Sequence, residues 1–252
     1  MIALRAFKDN YIWLFVDPIT QAAWIVDPGD ALPVIRYLIH NHLELAGILV
    51  THHHRDHSGG VAELMKHWKN IPVYGFVNSS VPEVTHFVKE QDEVTCGSFK
   101  FSVLEIPGHT LDHIAFYNDE ILFCGDTLFS AGCGRVFEGT YAQMYHSLTK
   151  LAYLPDSIKL YCAHEYTLQN LCFAEYVEPG NRDIQDKISV VKKLLADNQP
   201  TLPTMLADEK KFNPFLRCHL NEVKRAVEKY TGKHPANPEQ VFRYLREWKD
   251  AF

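Results

Sequence analysis

The sequence predicts an α+β protein in which mixed β-sheets with interspersed helices give way to a helical C-terminal part. Three observations carry this. Short β-branched and aromatic runs alternate with segments of helical apolar spacing up to about His164. Strand signals nearly vanish beyond that point. Four strand-like runs also end in His or Asp, the placement a metal site on a β scaffold needs.

In chain order, Ile2–Phe7, Tyr11–Val16 and Ala22–Val26 read as strands, punctuated by Asp17-Pro18 and Asp27-Pro28-Gly29. Leu32–His40 reads as a helix from apolar Leu32, Ile35, Leu38 and Ile39, and the apolar run Leu45–Val50 as a buried strand. Val61–Trp68 has helical spacing, Val73–Phe76 is a short strand, and 77–90 is polar and ambiguous. Phe99–Ile106 alternates as a strand and ends in Pro107-Gly108-His109-Thr110. Ile114–Tyr117 and Ile121–Cys124 form a tight pair turning at Asn118-Asp119, the second leading into Gly125-Asp126-Thr127. Tyr141–Leu154 is a helix, and Lys159–Cys162 is the last strand, ending at Ala163-His164. Leu168–Tyr176, Ile184–Ala196 and Asn221–Tyr230 are helical. A final helix opens at Asn237, with Pro238 at its first position and Gln240 placed to complete a capping box. The expected organisation is therefore a domain over 1–164 that carries the His and Asp strand ends and a helical domain over 165–252.

The densest motif is Thr51-His52-His53-His54-Arg55-Asp56-His57-Ser58-Gly59-Gly60, directly after the strand at 45–50. In extended backbone, residues two apart point to the same side, so His52 and His54 can grip one ion while His53 turns away. Asp56 and His57 lie on a turning segment and can reach a second ion. Imidazole and carboxylate suit zinc, iron or manganese, and two such ions together activate water for attack near neutral pH. Asp27 is explained as well by turn-making as by supporting a ligand.

The motif resembles the Thr-His-x-His-x-Asp-His signature of the metallo-β-lactamase superfamily. The resemblance implies an αββα sandwich of two mixed sheets flanked by helices. It also implies that His52, His54 and His109 hold one metal, that Asp56, His57 and His164 hold the other, and that Asp126 bridges the two. Every position of the pattern is filled. Two divalent ions per chain are expected, zinc first, with iron or manganese compatible. Asp126 reads better as a bridging ligand than as a base, because an anion there lowers the repulsion between the ions, and Asp56 keeps a lone pair with which to orient the attacking water. His113, four residues after His109, is a candidate to support a ligand.

A narrower resemblance lies in Asp9-Asn10-Tyr11, Phe123-Cys124-Gly125-Asp126-Thr127-Leu128-Phe129, Gly132-Cys133-Gly134-Arg135-Val136-Phe137-Glu138-Gly139-Thr140, Ala163-His164-Glu165-Tyr166-Thr167 and Leu245-Arg246-Glu247-Trp248-Lys249-Asp250. Their types and order are similar to glyoxalase II, the hydroxyacylglutathione hydrolases. This implies hydrolysis of S-D-lactoylglutathione to D-lactate and glutathione, the second step of methylglyoxal detoxification. It further implies glutathione contacts at Arg135, Val136 and Phe137, at Tyr166 and Asn170, and at Arg246 and Lys249 on the last helix. Family members often carry Tyr where this chain has Phe137, which keeps the apolar contact and loses a hydrogen bond. Arg246 and Lys249, three apart, share a helix face that should stand free at the domain edge. The alternatives on the same scaffold are a lactonase, β-lactamase or phosphodiesterase, or a mononuclear-iron persulfide dioxygenase, whose relatives lack the helical tail.

Bulk properties fit. The chain has 252 residues, with 25 Lys/Arg against 31 Asp/Glu and a formal charge of −6, which argues against a nucleic-acid surface. From Asp208 to Phe252 the balance is ten basic against seven acidic residues, leaving room for an anion site. No apolar run is long enough to cross a bilayer and the first residues do not read as a signal peptide. A cytoplasmic monomer acting on a small-molecule glutathione thioester, without membrane or nucleic-acid partners, is the expectation. The six cysteines form no C-x-x-C pair and read as reduced, buried thiols.

Overall fold

The first sheet begins with an antiparallel hairpin, β1 (Ile2–Ala6) and β2 (Asn10–Val16), continued by β3 (Ala23–Val26). In the computed structural model, which describes residues 1–252, this hairpin belongs to the first of two compact units. The first unit comprises residues 1–105 and 112–125, the second residues 106–111 and 126–252.

Helix α1 (Ala31–His40) crosses over to β4 (Leu45–Leu49), which runs parallel to β3. Asp30 caps α1 by accepting from the Leu32 amide. The buried stripe is Ala31, Val34 and Leu38, whereas Leu32 and Ile39 face solvent. The helix lies where the spacing put it but is rotated by one position, because two apolar stripes interleave in this segment and only one can face the sheet. A single helical turn, α2 (Arg55–Ser58), and α3 (Val61–His67) lead to the parallel strands β5 (Val73–Phe76) and β6 (His86–Val88).

A second, antiparallel sheet follows: β7 (Glu93–Cys96), β8 (Phe99–Glu105), β9 (Ile114–Tyr117) and β10 (Ile121–Gly125). Strand β2 lies between layers and is apolar on both faces, as a doubly covered strand must be. Ile12 and Leu14 join Val34, Leu38, Val61 and Leu64 under the helices. On the other face, Phe15 stands 5.7 Å from Phe101 and 6.0 Å from Phe123, ring to ring, linking the two sheets.

The second unit opens with a two-residue-strand hairpin, β11 (Leu128–Phe129) and β12 (Gly132–Cys133). Helix α4 (Tyr141–Ala152) starts at a full Thr140/Gln143 capping box. Then come β13 (Lys159–Cys162), α5 (Thr167–Val177), α6 (Arg182–Ala196), β14 (Thr204–Met205), α7 (Leu206–Phe212), a 3-10 turn at Pro214–Leu216, α8 (Asn221–Thr231) and α9 (Pro238–Asp250). The tail is helical apart from β14, which pairs antiparallel with β13. Asn237 caps α9 as expected, but the Gln240 amide oxygen accepts from Ala236 rather than from Asn237. Phe173, Phe215, Phe242 and Trp248 build an aromatic core in this unit. No helix is long and apolar enough to cross a membrane. All six cysteines are free thiols; five are buried and Cys172 is exposed.

Candidate metal centre

In the first unit, β4 delivers His52, His54, Asp56 and His57. His52 Nε2 faces His54 Nδ1 at 3.1 Å, and His57 Nε2 faces Asp56 Oδ2 at 3.4 Å. The turn holding Asp56 and His57 is the helical turn α2, closed by Ser58, whose hydroxyl reaches the His53 and His54 carbonyls. It is seated on Gly29, where a Cβ would lie 1.9 Å from the Asp56 carbonyl oxygen. Asn10 Nδ2 donates to Asp56 Oδ2 at 3.0 Å, which gives one of the family-like motif residues a physical task.

Behind these candidate ligands stands Asp27, which the sequence left undecided. Its Oδ1 accepts the Thr51 amide at 2.8 Å; its Oδ2 accepts the Thr51 hydroxyl at 2.7 Å and His57 Nδ1 at 3.0 Å. Thr51 Oγ1 in turn lies 3.1 Å from His52 Nδ1. One carboxylate thus fixes the tautomer and ring plane of two imidazoles, turning each Nε2 toward the ligand side. Although Asp27, His52 and His57 cluster closely, every contact named here places a donor on Asp27, so it orients ligands rather than ligating. Nothing in its Asp-Pro-Gly setting announces this. His113 stacks on His52, with centroids 4.5 Å apart and planes 14° apart, and its Nδ1 bonds the Ile114 carbonyl. Its backbone partner and its place behind His52 are those of a supporting residue. His53 points elsewhere, to Asp112 at 2.9 Å.

In the second unit, Asp126 Oδ2 lies 3.4 Å from His109 Nε2 and 3.3 Å from His164 Nε2. His109 Nδ1 donates to the Arg135 carbonyl at 2.8 Å, which fixes its tautomer. His164 is packed between Tyr166, stacked at 4.7 Å, and the edge of Phe129.

The substrate-side residues divide. Arg135 and Phe137 are exposed, Phe137 lying against His109 at 5.2 Å; Val136 and Tyr166 are half-buried. Lys249 is half-buried over the Phe173 ring, and burial, then the neighbouring Arg246 charge, lowers its pKa to about 8. Arg246 does not stand free. It is 3% exposed, donates to the Cys133 carbonyl at 2.8 Å and to Asp250 at 2.9 Å, and lies over Phe215. Asn170 is buried too, its amide donating to the Ser130 carbonyl. Both hold chain segments in place rather than presenting a group to solvent, which sequence spacing on a helix cannot distinguish.

The residues fit a metal. Two ligands at zinc's usual distance sit roughly 3.3 Å apart across a tetrahedral edge, and the facing donor atoms above are separated by 3.1–3.4 Å. The donors are imidazoles and carboxylates, and His52, His57 and His109 each have the outer ring nitrogen engaged by Thr51, Asp27 and the Arg135 carbonyl, as is usual for metal-binding histidines.

Residues 10–164 match the metallo-β-lactamase superfamily and residues 165–252 match the hydroxyacylglutathione hydrolase C-terminus. A crystal structure of the ETHE1 protein of Myxococcus xanthus superposes with a TM-score of 0.65 at 26% identity, covering 100% of this chain and 99% of that one. The BLEG-1 B3 metallo-β-lactamase gives a TM-score of 0.65 at 22% identity, covering 85% and 97%. Fold and donor set together define a metal-binding member of the metallo-β-lactamase superfamily. Within it the match narrows. The hydroxyacylglutathione hydrolase of Aeromonas salmonicida is 48% identical, over 100% of this chain and 99% of its own. That of Pseudomonas fluorescens is 49% identical, over 99% and 98%. The chain belongs to the hydroxyacylglutathione hydrolase family.

Proposed function

We propose that the protein hydrolyses S-D-lactoylglutathione and related 2-hydroxyacylglutathione thioesters to the 2-hydroxy acid and glutathione. The observation that carries this is the full set of superfamily ligand positions joined to residues 165–252 that match the C-terminal part specific to these hydrolases. His52, His54 and His109 would hold one divalent ion and Asp56, His57 and His164 the other, with Asp126 shared; zinc suits the donors best. We assign chemistry to residues 1–164 and substrate recognition to the helical part.

Bound divalent ions activate water and polarise a carbonyl. The chain's own residues do the rest. Asn10 fixes the Asp56 carboxylate so that it can orient the attacking water. Phe137 and Tyr166 flank His109 and His164 with aromatic surface that excludes bulk water. The departing thiolate has an ordinary thiol pKa of about 8.5, so no dedicated acid is required. Arg135 and Lys249 present cations to the carboxylates of glutathione, while Arg246 and Asn170 hold the segments that carry the site. The test is a panel of glutathione and non-glutathione thioesters, with metal content measured in the same preparation. Strong preference for the glutathione esters with two ions per chain is expected; equal rates on both, or no hydrolysis by fully loaded protein, would sink the assignment.

Lys249 gives a pH signature. Its ammonium is charged below about pH 8 and neutral above. A contact far from the thioester acts equally on ground and transition states, so its loss appears in KM. KM for the glutathione thioester should rise as pH passes through 8 with kcat little changed, and Lys249→Arg should move that rise upward, because a guanidinium stays charged. An identical pH profile in Lys249→Arg would remove Lys249 from the substrate site.

A further inference from the structure

The turn at Ser130-Ala131 joins β11 to β12, and its sequence is a poor hairpin former. Ala131 sits at φ 56°, in the left-handed region that hairpin turns usually fill with Gly, Asn or Asp. The turn is held from outside. The wholly buried carboxylate of Glu209 on α7 accepts from Ser130 Oγ at 2.8 Å, Ala131 N at 2.7 Å, Thr204 Oγ1 at 2.9 Å and Asn213 Nδ2 at 3.1 Å. Four donors fill its lone pairs in the ionised form, although burial raises its pKa. Asn213 shares the same amide group with the Phe129 and Gly132 carbonyls at 3.1 and 3.0 Å, closing the hairpin from both strands.

The hairpin is tied in turn to the second half-site. Gly134 N donates to the Thr127 carbonyl at 3.2 Å, and a Cβ on Gly134 would lie 1.9 Å from the Asp126 carbonyl oxygen. The Arg135 carbonyl receives His109 Nδ1. Any shift of the hairpin therefore moves the Asp126 backbone and turns the His109 ring.

We propose that Glu209 is a positioning residue for the reaction: through Ser130 and Ala131 its carboxylate fixes the 128–133 hairpin, and the hairpin fixes Asp126 and His109 as metal ligands. This rests on the metal reading given above, and it extends the task of the C-terminal helices from recognition to the metal centre. Two single-hydroxyl deletions separate positioning from plain stability. Ser130→Ala and Thr204→Val each remove one donor from the same carboxylate, one on the hairpin and one off it. Glu209→Gln is the conservative variant, since its amide can donate to the two hydroxyls and accept from Ala131 and Asn213. Zinc-loaded proteins are challenged with a chelator, zinc release is followed with an indicator, and kcat and thermal unfolding are measured alongside. Ser130→Ala should release zinc about tenfold faster and lose kcat in step, with Thr204→Val and Glu209→Gln within about twofold of wild type. Equal zinc release from Ser130→Ala and Thr204→Val, fast or slow, overturns the proposal. A wild type that neither retains zinc nor hydrolyses thioester overturns the metal reading itself, and the positioning role with it.

Discussion

Asp126→Ala should abolish turnover in practice, lowering kcat by about a thousandfold or more, equivalent to roughly 4 kcal/mol of barrier, and should lower the metal content of the purified protein. The carboxylate is 6% exposed and faces both His109 and His164 through one oxygen. Without it, two imidazoles face each other with no anion between them, and cations held there would repel. The fold should survive, because removing a buried carboxylate takes away a group whose desolvation is costly. Metal analysis, kinetics and circular dichroism on one preparation check this. A folded Asp126→Ala protein that keeps two ions and kcat within tenfold of wild type would show that Asp126 is not the shared ligand.

Asp27→Asn should be nearly as damaging, although Asp27 is not itself a ligand. An amide can still accept from the Thr51 N–H, but its NH2 would then face the Thr51 hydroxyl and His57 Nδ1, two groups that now donate to Oδ2. Either His57 adopts the other tautomer and directs N–H toward the metal side, or a buried donor is left unmet at about 1–3 kcal/mol. Metal affinity should fall about 10–100-fold, with a lower midpoint of thermal unfolding. Chelator titration of wild type and variant measures the first quantity directly, and equal affinities would reduce Asp27 to a turn former.

What the sequence disclosed follows from how each signal arises. The seven candidate ligands are legible because ligand chemistry restricts residue type and because they fall in the segments that follow four strands, Asp56 and His57 on the helical turn α2 among them. Strands such as Val73–Phe76 and Lys159–Cys162 are legible from composition, and the last helix from its cap. The short strand Glu93–Cys96 is not, since it alternates exposed Glu93 and Thr95 with buried Val94 and Cys96 and offers only two apolar residues. Helix α7 hides for a similar reason: Leu206–Phe212 is mostly charged, and one of those charges, Glu209, points inward. Asp27, Glu209, Asn213 and Arg246 share one property. Beside any near partner, each has one far off in sequence, from 24 residues for Asp27 and Thr51 to 113 for Arg246 and Cys133, and local spacing carries no trace of such pairs. Arg246 shows the cost: helical periodicity groups it with Lys249, yet its guanidinium is spent on the Cys133 carbonyl and Asp250.

The distribution of the cysteines has a redox consequence. An enzyme that releases glutathione works where glutathione disulfide is also present, and exchange with that disulfide requires an accessible thiolate. Five of the six thiols lack access. Burial also pushes the Cys133 thiol up to about 11 and that of Cys218 well above its ordinary value, so at neutral pH neither supplies much nucleophile. Cys172, exposed on α5, is the sulfur left open to mixed-disulfide formation. Mixed-disulfide formation is therefore confined to Cys172 on α5, and the five buried thiols, Cys124 on β10 and Cys162 on β13 among them, are shielded from it.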